Sequence, residues 1–195
     1  MTAPTRFFMA DEKQIEQEDR ELIRRIAAKD AGALDAFYTR YNRLAFTLVL
    51  RIVSNRDDAE DVLVDVFWQV WQQAGRYDAS RGKPVAWLLT IARTRAIDCL
   101  RASGRKPAPI EENQPGREVA APATGDPFVL ADTQQAVQAA LQTLPEQQRI
   151  PIEMSFFQGM SHTEIATALG QPLGTIKDRL RNGMMHLKKR LKPYL

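Results

Sequence analysis

Three groups of side chains in this sequence are of types, and at spacings, that can do chemistry. Asp58, Asp61 and Asp65 fall three and four residues apart, with Glu60 beside them. A helix through these positions carries a row of carboxylates along one side. Such a row can dock a basic surface, and a merely solvated helix face would carry the same charges. One helix face with no carboxylates opposite it makes a poor metal site, so no metal is expected. The second group places Tyr77, Arg81 and Lys83 ahead of Trp87, Arg93, Arg95 and Arg101. Aromatic rings beside cations suit unpaired bases, which stack while their phosphates are neutralised. Trp87, Leu88 and Ile91 serve equally well as core, and core is the stronger reading for Trp87. The third group is Lys177, Asp178, Arg181 and Asn182. Lysine and arginine donate to guanine, asparagine pairs with adenine, and aspartate accepts from cytosine. Arg179, Lys188, Lys189, Arg190 and Lys192 suit phosphates better. Two histidines, His162 and His186, and one cysteine, Cys99, leave no nucleophile–base pair and no zinc set. Neither an enzymatic activity nor a cofactor is expected.

The elements that must hold these groups read as helices. Asp30 can cap a helix with Leu34, Phe37, Tyr38 and Tyr41 on its apolar face. Ser54 and Asn55 interrupt the pattern before a long helix near Asp57, whose stripe is Ala59, Val62, Leu63, Val66, Phe67, Val70 and Trp71. Gly75 to Pro84 reads as a loop, and a third long helix follows from about Val85 to Ala102. Within that helix Cys99 is expected to be a buried small residue. A helix from about Thr133 ends at Leu144-Pro145, and another starts near Glu146. Ser161-His162-Thr163-Glu164 is a capping box, followed by Ile165, Ala166, Leu169 and Gly170 at the spacing of a short helix and its left-handed stop. Thr175 is expected to cap the next helix, with Ile176 and Leu180 inward and Met185 on the outer side, and Met184 and Met185 read as packing residues rather than cofactor chemistry. Two short helices with a basic, polar second member form a helix-turn-helix pattern.

Composition bounds the rest. The chain has 195 residues, 44% of them hydrophobic, and a net charge of +3. Five prolines and three glycines crowd residues 103–132, where large apolar side chains are scarce. That segment cannot bury enough surface to fold alone. The expected organisation is all-α: a flexible N-terminus at 1–18, a helical domain at 19–103, an acidic proline-rich linker at 104–132, and a second helical domain at 133–195. No apolar run approaches the length of a membrane span, and Met1–Ala10 lacks the pattern of a signal peptide. Membrane insertion is therefore not expected. A lone cysteine fits a reducing cytoplasm.

The run Asp57-Asp58-Ala59-Glu60-Asp61-Val62-Leu63-Val64-Asp65-Val66-Phe67 resembles the region 2 helix of bacterial sigma factors. Trp87 to Arg101 resembles their promoter-melting segment. Leu144-Pro145, Gly159-Met160-Ser161, Glu164-Ile165-Ala166 and Pro172-Leu173-Gly174-Thr175-Ile176-Lys177 are similar to region 4. Together they resemble the extracytoplasmic-function (ECF) group of sigma-70 factors, and Pro-Leu-Gly-Thr with Arg-Asn-Gly-Met is similar to its SigK-like subgroup. The resemblance implies a non-catalytic initiation factor acting in the cytoplasm. It implies core RNA polymerase as a partner, through the β′ clamp coiled coil and the β flap. Asp58, Glu60, Asp61, Asp65 and Phe67 would form the clamp contact. Tyr77, Arg81, Lys83, Arg93, Thr94, Ile97, Asp98 and Arg101 would take the −10 strand of promoter DNA. Thr175, Lys177, Asp178, Arg179, Arg181 and Asn182 would meet the −35 element. The resemblance also implies an anti-sigma factor that holds the protein inactive. The chain departs from the family at Val64, where glutamine is common, at Thr94, where asparagine is frequent, and at Asp178, where a small or hydroxyl residue is common.

Overall fold

The computed structural model describes the backbone of residues 5–104 and 137–191, and side chains from residue 14 onward within those ranges. The expected linker after Gly104, the start of the helix placed near Thr133, and Lys192 lie outside the described residues. The chain divides into two units, Met1–Gly125 and Asp126–Leu195. Every regular element among the described residues is helical, and none is long and apolar enough to cross a membrane.

In the first unit four helices pack together: α1 (Thr5–Ala27), α2 (Ala31–Val53), α3 (Arg56–Gln73) and α4 (Pro84–Ala102). Local chemistry sets the boundaries. The Asp30 side chain accepts the Ala33 amide at the start of α2. Ser54 turns left-handed, with φ of 58°, and ends it. Asn55 then accepts the Asp58 amide to start α3. Pro84, at the first position of α4, lacks an N–H that this turn would leave unsatisfied. The core is made by Phe37, Phe46 and Val49 of α2, Val66 and Val70 of α3, and Leu88, Ala92 and Ala96 of α4, all fully enclosed. Each large side chain here contributes roughly 1.5–3 kcal/mol by burial.

The first departure from expectation is α1. Composition predicts a poorly ordered terminus over residues 1–18, yet α1 is helical from Thr5. Within its described side chains, Arg20 pairs with Glu16 at 2.6 Å and Arg24 with Glu21 at 2.5 Å, one turn apart. Leu22, Ile23 and Ile26 are buried, which anchors the C-terminal half of the helix and lets its polar half continue in register.

The second unit holds α5 (helical over the described residues 137–142), α6 (Glu146–Phe156), α7 (His162–Leu169) and α8 (Leu173–Leu191). The Ser161–Glu164 capping box is complete in both directions. Gly170 closes α7 at φ of 60°, a conformation that a Cβ would strain. Thr175 does not cap α8. That helix begins two residues earlier, at Leu173, and the Ile176 amide donates to the Pro172 carbonyl. Gln171 is already used, since its amide closes the end of α7 on the Ala166 carbonyl, so the chain re-enters helix at once.

A close crossing in this unit lies at Gly183. A Cβ on Gly183 would stand 2.5 Å from Ile152 Cδ1 and 3.3 Å from Gln148 Cβ, both on α6. Gly183→Val is expected to destabilise this unit by about 1–3 kcal/mol through overpacking. Chemical denaturation of the full chain checks this, and an unchanged midpoint would mean that α6 yields freely.

Candidate nucleic-acid interface

The acidic row lies where its spacing predicts. Glu60, Asp61 and Asp65 are exposed and Asp58 is half-buried, while Ala59, Val62, Leu63, Val66 and Val70 face the core. Asp57 and Asp58 occupy the first turn of α3, where carboxylates meet the positive end of the helix dipole. Asp61 and Asp65 lie beyond that turn, so the dipole does not explain them. Phe67 is corrected: it is 6% exposed and packs edge-on against Tyr38, with ring centroids 4.7 Å apart. It supports the helix from beneath and offers no side chain to a docking partner. Two residues that spacing did not single out stand on the outer side instead. Val64 is 70% and Trp68 62% exposed, one helical turn apart and next to Asp61 and Asp65. The sequence signal for them is their absence from the buried stripe.

The loop before α4 is built rather than slack. The Tyr77 hydroxyl donates to the Gly82 carbonyl at 2.7 Å, which closes the loop on itself. Asp78 accepts both the amide and the hydroxyl of Ser80, and these bonds hold its carboxyl below the usual range. The Tyr77 ring meets Trp87 at 5.5 Å between centroids, tilted by 55°, and burial raises the phenol's pKa. Trp87 is half-buried rather than a core residue. Positions 87, 90, 94, 98 and 101 share one side of α4, so Trp87, Thr90, Thr94, Asp98 and Arg101 form a stripe. The last four of these are exposed. Arg81 is also exposed and Lys83 half-buried at the start of α4.

Ile97 is a second correction. It is 6% exposed and belongs to the core side of α4, because the apolar spacing 88, 92, 96 continues through its neighbour. Cys99 is half-buried, less enclosed than expected. Arg93 is half-buried too, and its pKa is lowered by burial first and by the charge of Arg101 second. The Thr90 and Thr94 hydroxyls donate to backbone carbonyls one turn earlier, those of Ala86 and Thr90.

On α8 the buried side is Ile176, Leu180, Gly183 and Leu187. Lys177, Asp178, Arg181 and Asn182 are all exposed on the opposite arc. Thr175 is half-buried, and so is Arg179, which turns away to reach Gln147 on α6 at 3.5 Å. Met185 lies on the outer side, as its spacing predicts, and Met184 stands exposed beside it rather than packing. Each is 55% exposed and continues the polar arc toward the basic end, where Lys188, Lys189 and Arg190 follow.

Residues 37–106 match the family model of Sigma-70 region 2, and residues 134–187 match that of Sigma-70, region 4. The ECF RNA polymerase sigma factor SigK of Mycobacterium sp. (strain JLS) is 32% identical over 170 residues, spanning 86% of this chain and 87% of that protein. A SigK from Mycolicibacterium vanbaalenii is 33% identical over 171 residues, with 86% of each covered. Among solved structures, Rhodobacter sphaeroides SigE in complex with the anti-sigma ChrR is 29% identical, with 89% of this chain and 98% of that one covered and a TM-score of 0.45.

The chain belongs to the sigma-70 family, in its ECF group. It is an RNA polymerase sigma factor, which directs promoter-specific transcription initiation and, as its family does, binds core RNA polymerase and promoter DNA.

Proposed function

We propose that the exposed carboxylates of α3 dock the β′ clamp coiled coil, that the Tyr77–Pro84 loop and the outer stripe of α4 capture the −10 strand, and that α8 reads the −35 element. The observation that carries this reading is the division of labour among helix faces. Asp61 and Asp65, then Thr94, Asp98 and Arg101, then Lys177, Arg181 and Asn182 each lie exposed, opposite a fully apolar stripe. Asp61, Asp65, Asp98, Lys177 and Arg181 thereby place charged groups at the surface, away from each helix's buried side.

The Tyr77–Trp87 pair supports a pocket for an unstacked base at the loop, since a flipped nucleotide needs an aromatic surface and neutralised phosphates. The protein does no covalent chemistry in this reading and works in the cytoplasm by positioning polymerase on DNA. An anti-sigma factor is part of the proposal. Val64 and Trp68 on one unit, and Phe156, Met184 and Met185 on the other, leave large apolar side chains in water. Val64 and Trp68, one turn apart on α3, form an exposed apolar patch of the kind that a partner covers. In the absence of polymerase that partner would be the inhibitor.

Run-off transcription with purified protein and bacterial core polymerase on a pooled promoter library tests the reading. The expected result is a set of discrete start sites that appear only when this protein is added. Duplex binding without polymerase, and no new start sites, would replace the proposed roles with those of a conventional repressor.

A further inference from the structure

Helix α1 lies N-terminal to the segment matched by region 2, and it reaches the loop assigned to the −10 strand. Three features fix its position. Leu22, Ile23 and Ile26 are buried in the bundle. Asp19, only 2% exposed, accepts the Tyr41 hydroxyl and the Arg40 guanidinium, the latter at 2.7 Å. Arg40 also reaches Glu18 at 3.1 Å. With α1 held at this register, Glu16 lies one turn before Arg20 and faces the start of α4. Its carboxylate stands 3.7 Å from Lys83 Nζ and 2.6 Å from Arg20. Lys83 follows Gly82, whose carbonyl holds the Tyr77 hydroxyl, so the contact falls at the mouth of the loop. The charges of Arg20, Glu16 and Asp19 are all felt by Tyr77.

We propose that Glu16 is a built-in competitor for Lys83: it holds the ammonium in place at the loop and must give it up when a strand phosphate arrives. The Glu16 side chain is 24% exposed and that of Lys83 is 41% exposed, so the pair is open enough to exchange partners. An ion pair this exposed is weak, and a phosphate can displace it. The carboxylate then stays with Arg20, which prevents an unpaired charge from being left beside the strand. In effect α1 sets the threshold for strand capture, and does so without touching a base. This inference rests on the reading that the Tyr77–Pro84 loop takes single-stranded DNA.

The test uses the full chain assembled with core polymerase and a fluorescein-labelled single strand of random sequence, about 20 nucleotides long, titrated over a range of salt. Glu16→Gln, Lys83→Ala and the double variant form a cycle. Lys83→Ala is expected to weaken binding and to reduce the salt slope by about 0.7, the loss of one phosphate contact. Glu16→Gln is expected to tighten binding about two- to five-fold at low salt, with the gain fading as salt rises. In the Lys83→Ala background the Glu16→Gln gain should vanish. An unchanged affinity for Glu16→Gln, or an equal gain with and without Lys83, would overturn the competitor role while leaving the loop reading intact. An unchanged affinity for Lys83→Ala would overturn both. Thermal melting of each variant, read alongside, shows whether α1 has loosened.

Discussion

Replacing Asp61 and Asp65 together with alanine is expected to lower run-off transcription by about a hundredfold or more at limiting protein. The two carboxylates lie one turn apart on the exposed side of α3, flanked by Val64 and Trp68. A carboxylate that meets a basic partner at a desolvated interface is worth about 2–5 kcal/mol when truncated. Each 1.4 kcal/mol is tenfold in affinity, so two such losses, about 4 kcal/mol at the low end, still reach a hundredfold when coupling removes up to about three tenths of their sum. The apolar pair beside them strengthens the effect, because exposed tryptophan next to charge excludes water from the contact. Stability should not follow. Both residues are exposed and beyond the first turn, so their removal costs neither burial nor dipole energy. Thermal melting should therefore be unchanged within about 0.5 kcal/mol. Adding excess protein should restore most of the transcription, as expected for lost affinity rather than lost fold. A double variant that transcribes normally at limiting concentration would remove α3 from the polymerase contact.

The second large effect is expected on α8. Lys177→Ala/Arg181→Ala should lose about 1–3 kcal/mol of base discrimination for each contact removed, which relaxes preference at particular −35 positions. By contrast, Lys188→Ala/Lys189→Ala should weaken all promoters alike and reduce the salt dependence of binding. The distinction follows from position. Lys177 and Arg181 are four residues apart in the first turns of the helix, on the arc that also carries Asp178 and Asn182. A recognition helix enters the major groove with those turns leading. Lys188, Lys189 and Arg190 lie in the last turn. Run-off competition among promoters that differ by single −35 bases separates the two patterns. Equal, position-independent losses from both pairs would mean that Lys177 and Arg181 contact phosphates only.

Much of this layout is legible in the residues because the forces involved are local. A capping box needs only Ser161 and Glu164 three residues apart, and both of its bonds are present. The caps at Asp30 and Asn55 work the same way. The carboxylate row on α3 and the basic arc on α8 follow from helical spacing, which decides which residues share a side before any packing occurs. The separation into two helical units follows from the proline-rich, apolar-poor segment between them.

What spacing does not decide is how wide a buried stripe becomes, because that depends on the helices that arrive against it. Phe67 reads as part of the buried stripe and, by resemblance, as a clamp contact, and Ile97 as part of a functional face; both sit where Tyr38 and the rest of the bundle cover them. Val64, Trp68, Met184 and Met185 are left largely exposed, which spacing alone does not settle. Trp87 is shared between core and loop because Tyr77 folds back onto it. The crossing at Gly183 is set by where α6 meets α8. The position of α1 is set by contacts that span the sequence. Asp19 finds Arg40 and Tyr41 more than twenty residues away, and Glu16 finds Lys83 much further along still. Sequence alone therefore determined the helices after α1, the caps at Asp30 and Ser161, and the sign of charge on each face. Tertiary structure decided which apolar side chains were left in water and which distant charges met, since both depend on surfaces formed only after the helices had packed.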